Sequence, residues 1–110
     1  MKKVVKISTN KPMEILDLDA PAGSLKVLQE AVGGYVQVVD LKENLSLWCN
    51  EEGKMLGLPA NHFATIMWEK RFGKTDVIVG NAVFTGGTDS EGETLGLTDE
   101  QIAWFKVVTA

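Results

Sequence analysis

Cysteine and histidine are nearly absent from this chain, with one of each in 110 residues. The lone Cys49 has no partner for an internal disulfide and fits a reducing compartment. With one Cys and one His, a zinc site would need carboxylates to complete four ligands, and no spacing gathers them. No apolar run approaches the roughly 20 residues of a membrane span. The opening Met1–Lys2–Lys3–Val4–Val5 passes into strand-like alternation without a signal-peptide core. Basic charge is also short, with 11 Lys and Arg against 15 Asp and Glu, a net charge of −4. Direct nucleic-acid binding needs a basic patch to displace counterions, and none is visible. The acids are scattered, at Glu14, Asp17, Asp19, Glu51, Glu52, Asp89, Glu91 and Glu93. They read as a solvated surface, whereas a DNA mimic would carry a denser run. These absences point to a soluble cytoplasmic protein without membrane or nucleic-acid partners. At this length the expectation is a single domain over residues 1–110, burying about two-thirds of the surface of its unfolded chain.

What is present is a clear alternation of strand and helix patterns. Lys3 to Thr9 and Met13 to Leu18 read as an opening strand pair around the turn Asn10–Lys11–Pro12. Ser24 is placed to cap a helix whose apolar stripe is Leu25, Leu28 and Val32, widened by Val27 and Ala31. Gly33 and Gly34 stop it. Tyr35 to Leu41 alternates on a β period, with Val36 and Val38 opposite Tyr35, Gln37 and Val39. In the following strand Leu45, Leu47 and Cys49 share one face, and Ser46, Trp48 and Asn50 the other. Asn50–Glu51–Glu52–Gly53 is read as the turn of a hairpin pairing 45–50 with 54–58, with Gly53 as its left-handed residue. Asn61 caps a helix over His62 to Phe72, with Phe63, Ile66 and Met67 on one face and Gly73 beyond its end. Asp76 to Phe84 reads as a buried strand interrupted at Gly80. Gly86 to Gly96 reads as an exposed loop. Thr98 with Gln101 forms a capping box for a last helix with Ile102 and Phe105 inward, and the tail 106–110 is either its end or a short strand. The predicted fold is α+β, a mainly antiparallel sheet with two or three helices packed largely on one face.

Motifs that resemble chemistry fail on spacing or context. Gly73–Lys74–Thr75 looks like the end of a phosphate loop, yet Trp68 stands where its first glycine belongs, and a helix precedes it instead of a strand. Asn44–Leu45–Ser46 fits a glycosylation sequon that an intracellular chain never uses. The acidic loop Asp89 to Glu93 lacks the ligand alternation and distal Glu of a calcium loop. Cys49 could act as a nucleophile with His62 as its only activating histidine, but its strand face marks it as a small buried hydrophobe. No catalytic constellation, metal site or cofactor is predicted. Carboxylate pairs, which sequence cannot bring together, keep a small hydrolase or transferase open as an alternative. Trp48 is either covered by a helix or exposed as an aromatic anchor.

The segments LQEAVGGYVQVV, CNEEGKMLGLPAN, DVIVGNAVF and GLTDEQI, spanning about Lys3 to Val108, resemble a family of small uncharacterised domains. Its members occur in bacteriophages, plasmids and prokaryotic genomes. The most specific phrase is N-E-E-G-K-x-x-G-L-P-x-N, at Asn50 to Asn61. The phage-type members, like this chain, place a Trp-containing helix between that phrase and the D-x-I-V-G strand. The resemblance implies a mobile-element accessory protein and brings no catalytic residues to carry over. Within the motif Gly53, Gly57, Pro59 and Asn61 have scaffold roles, whereas Glu51, Glu52 and Lys54 are not demanded by a turn. Glu51, Glu52, Lys54 and Trp48 are therefore the candidate binding residues. The predicted function is non-catalytic binding of a host protein in the host cytoplasm, with an anti-defence or host-modulating role. The alternative is a sponge or sensor for a small anionic ligand such as a nucleotide, for which Lys54, Lys70, Arg71 and Lys74 are the available cations. A homo-oligomer assembling such a pocket between chains stays open.

Overall fold

The computed structural model describes residues 1–110 as five strands and three helices. In chain order these are β1 (Lys3–Ile7), β2 (Glu14–Asp17), α1 (Ser24–Val32), β3 (Val36–Lys42), β4 (Leu45–Asn50), α2 (His62–Phe72), β5 (Ala82–Thr85) and α3 (Asp99–Val108). All strand pairs are antiparallel, and the sheet order is β2-β1-β5-β4-β3. The fold is α+β, as the paired β runs and short turns indicated. No helix is long and apolar enough to cross a membrane.

Side-chain alternation gives the sheet two buried faces. On one, Val5, Ile7, Leu45, Leu47, Ala82 and Phe84 meet α2 and α3 through Ala64, Met67, Ile102 and Phe105. Phe84 and Phe105 lie 5.1 Å apart at their ring centroids, and Phe63 approaches both at 5.8 and 5.9 Å. On the other face Val4, Val83 and Leu18 meet α1 through Leu28, Ala31 and Val32. Two helices thus cover one face and the third covers its reverse. Burying a side chain the size of Phe84 or Leu47 contributes about 1.5–3 kcal/mol, and the three inner strands supply the fully buried Val4, Val5, Leu47, Val83 and Phe84.

Several expectations are corrected. Residues 54–58 form no strand, so the hairpin predicted between 45–50 and 54–58 does not exist; β4 pairs instead with β3, through the turn at Glu43–Asn44, and with β5. Lys54 to Leu58 is wound into turns by bonds from Leu56 N–H to the Glu52 carbonyl and from Gly57 N–H to the Lys54 carbonyl, at 3.0 and 3.1 Å. Ser24 does not cap α1. Its hydroxyl donates to the Leu18 carbonyl at 3.1 Å, so a tertiary bond takes the group that local propensity assigned to the helix start. Leu25 and Ile66 face outward, because α1 presents Leu28, Ala31 and Val32 and α2 presents Ala64 and Met67 to the sheet. The 86–96 segment is exposed only beyond Gly87. Gly86 and Gly87 are buried and tied to Leu95 by two backbone bonds. The tail stays helical through Val108.

Candidate functional site

The motif Asn50–Asn61 folds as a loop pinned at both ends by asparagine side chains. Asn50 Nδ2 donates to the Val32 carbonyl at the end of α1 (3.2 Å), and Asn50 Oδ1 accepts from Glu52 N–H (2.8 Å). Gly34 lets that side chain in, since a Cβ there would sit 3.1 Å from Asn50 Nδ2. At the far end Asn61, 2% exposed, donates to the carbonyls of Ile7 and Gly80 and accepts from Ala64 N–H at the start of α2. Pro59, Ala60 and Asn61 run beside Ile78 to Gly80, with Asn61 N–H bonded to the Ile78 carbonyl at 2.8 Å. The two inward asparagine side chains of the motif are therefore both held.

The left-handed role read for Gly53 belongs instead to Gly57. Gly57 is the left-handed residue, at φ 69°, while Gly53 has no positive φ. Gly53 is buried against the 76–80 segment, where a Cβ would lie 2.8 Å from Val79 Cγ2. A long-range approach, not a turn type, demands that glycine.

The outward residues of the loop stand over a depression of about 200 Å³. Cys49, Glu51, Glu52, Lys54 and Met55 line one side, and Trp68, Asp76 and Val77 the other. Lys54 Nζ is ion-paired with Asp76, whose carboxylate also accepts from Val77 N–H at 2.8 Å. The Lys54 hydrogen bond, aided by that backbone N–H, holds the Asp76 carboxyl below the usual aspartate range. Trp68 donates from Nε1 to Thr75 Oγ1 at 3.0 Å and leans on Phe72, with ring centroids 4.4 Å apart. Cys49 is half-buried here. Burial first, and the negative charge of Asp76 second, push its thiol up, against the lesser pull of Lys54.

The structure thus brings Glu51, Glu52 and Lys54 together and separates Trp48 from them. Trp48 points to the opposite sheet face, packs against the α1 cluster, and donates from Nε1 to Thr85 Oγ1 at 3.0 Å. The aromatic beside the motif is Trp68, and the acid paired with Lys54 is Asp76; neither is among the sequence candidates. The signals available for them were the Trp on the helix directly after the motif and the lone Asp opening the next apolar run. His62 is exposed in the first turn of α2 and does not line the depression holding Cys49. No three His, Cys, Asp or Glu side chains gather in a metal-binding arrangement.

Chemically, the depression offers carboxylates, a neutralised lysine, a protonated thiol and an aromatic edge, which suits recognition of a cationic and apolar surface. Among known proteins, neither curated sequences nor solved structures give a match. Residues 1–109 match the family described as a domain of unknown function, DUF3846, and the chain belongs to that family.

Proposed function

We propose that the protein is a non-catalytic accessory factor of phage or plasmid type that binds a host protein in the host cytoplasm through the outward side of the 51–57 loop. The observation that carries this reading is the exposure of two adjacent large apolar side chains, Met55 at 83% and Leu56 at 60%, on a loop anchored at both ends by bonded asparagine side chains. A rigid loop keeping methionine and leucine in water next to Glu51 and Glu52 resembles the apolar anchor and polar rim of a protein interface. Pre-organisation lowers the ordering entropy that binding would otherwise cost. A protonated Cys49 with His62 elsewhere weighs against nucleophilic catalysis. Three carboxylates around one paired lysine weigh against an anionic ligand in this depression.

The test is a three-way capture from a bacterial host lysate, using wild type, Glu51→Lys with Glu52→Lys, and Met55→Ser with Leu56→Ser. All four positions are exposed, so the fold should persist by circular dichroism. The expected result is one protein retained by wild type and lost by both double variants, with purified components showing about 30-fold or more weaker affinity, the size of a hot-spot loss. A partner held equally by all three baits, or none by wild type, overturns the reading.

A further inference from the structure

At the other end of β4 a second concavity has the opposite charge character. A groove of about 480 Å³ opens between the β3–β4 turn, α2 and α3, with Trp104 on one wall and Leu45 and Met67 in its floor. It continues into a smaller hollow of about 170 Å³ that shares Lys42, Leu45, Met67 and Lys70 and ends at Arg71. Lys42, Lys70 and Arg71 therefore border one cleft of a protein whose net charge is −4, with the Arg71 guanidinium resting over the Phe72 ring at 4.8 Å. None of the three belongs to an ion pair, whereas Lys54 is neutralised by Asp76. The Arg71 end holds no carboxylate, and the one acid in the groove, Glu100, lies at the Trp104 end.

We propose that this groove binds a nucleotide-class ligand, a planar heteroaromatic ring carrying phosphate. The ring stacks on Trp104, which is 42% exposed although its neighbour Phe105 is buried. The phosphate lies among Lys42, Lys70 and Arg71. Three features select this class over a bare anion or a bare ring. The combined cleft falls in the size range of small-molecule sites. Stacking on an indole face is sequence-tolerant and substantial. Uncompensated cations at only one end fix the ligand's direction, with Glu100 free to accept from a ring amine or a sugar hydroxyl. The groove is distinct from the 51–57 loop, from which it is separated by the length of β4, about 17 Å at the usual rise per strand residue.

The probes are the ribonucleoside mono- and triphosphates, the free nucleosides, and inorganic phosphate, followed by tryptophan fluorescence and by melting temperature. Phosphorylated nucleosides should quench fluorescence and raise Tm with the logarithm of concentration above Kd. Nucleoside or phosphate alone should bind at least about tenfold more weakly, since each lacks one half of the contacts. Lys42→Glu and Lys70→Glu should each weaken binding about tenfold or more. Trp104→Leu should abolish the quenching, and Lys26→Ala, on the solvent side of α1 at the reverse face of the sheet, should leave binding unchanged. Circular dichroism establishes that each variant is folded. Absence of any shift at about 5 mM of every nucleotide, where even a weak site would be occupied, overturns the proposal. Binding indifferent to both Lys42→Glu and Lys70→Glu, or phosphate alone binding as tightly as the nucleotides, does so as well.

Discussion

Asn61 Nδ2 donates to the carbonyl of Ile7 at 3.0 Å, joining residues 54 positions apart. The same amide bonds Gly80 and caps α2 through Ala64, so one side chain ties β1, the segment before β5 and the helix start. Asn61→Ala removes a helix cap, worth about 1 kcal/mol, and leaves two buried carbonyls short of a donor. Urea denaturation should show a loss of about 2–4 kcal/mol. Asn44→Ala on the exposed β3–β4 turn should stay within about 0.5 kcal/mol of wild type.

The two motif glycines should respond to different substitutions. Gly57→Ala meets no atom but is strained by its φ of 69°, at about 1 kcal/mol. Gly57→Asn should be milder than Gly57→Val, because asparagine tolerates the left-handed region. Gly53→Ala instead presses on Val79, and the cost should be about 1–3 kcal/mol. Adding Val79→Ala should return part of that loss; a double-mutant cycle on denaturation free energies measures the coupling.

Trp48→Phe should cost about 1 kcal/mol by leaving Thr85 Oγ1 without its indole donor. Because the ring points to the α1 face, the substitution should leave capture through the 51–57 loop unchanged. A loss of partner without a loss of stability would restore Trp48 as a binding residue.

Acid should loosen the loop's tie to the 76–80 segment. The Asp76 pKa is lowered in the folded protein, chiefly by Lys54, so its contribution is present above the ordinary aspartate value of 3.8 and is lost as pH falls through the lower folded value. The stability difference between wild type and Asp76→Asn should therefore be largest above about pH 5 and shrink toward pH 2. Since Lys54 and Asp76 are 63% and 37% exposed, solvent and salt screen the pair and keep the difference small. Carbon-13 NMR of the carboxyl reads the titration directly.

Local signals were legible and long-range ones were not. The helix between Asn61 and Gly73 was placed correctly from its cap and its stop, and the Thr98–Gln101 capping box forms with both of its bonds. The grouping of Glu51, Glu52 and Lys54 survived because they are neighbours in sequence. Lys54 to Leu58 misled because Asn50–Glu51–Glu52–Gly53 imitates a hairpin turn, while strand pairing depends on neighbours that a local turn signal does not name. Ser24 and Gly53 misled in the same way, since Leu18 and Val79 decide their roles from a distance. The depression was invisible for that reason: Trp68 and Asp76 reach it only once α2 turns back. Lys42 carries no local signal of a site, because its neighbours in the groove, Lys70 and Trp104, are brought to it only by the packing of α2 and α3.

The strand order places β5, one of the last elements made, in the middle of the sheet. The β1–β2 and β3–β4 hairpins precede it and can form from local chain, but no strand of one pairs with a strand of the other except through β5. In a chain emerging from the ribosome, any ribbon formed by β1–β2 or β3–β4 would have its inner edge, β1 or β4, bare until residues 82–85 are released. Those edges would be competent to pair with strangers during that interval. In pulse-labelled refolding, amides of Val5, Leu47 and Phe84 should gain protection in one step. Nascent chains stalled before Asn81 should be markedly more protease-sensitive and aggregation-prone than those stalled after Thr85.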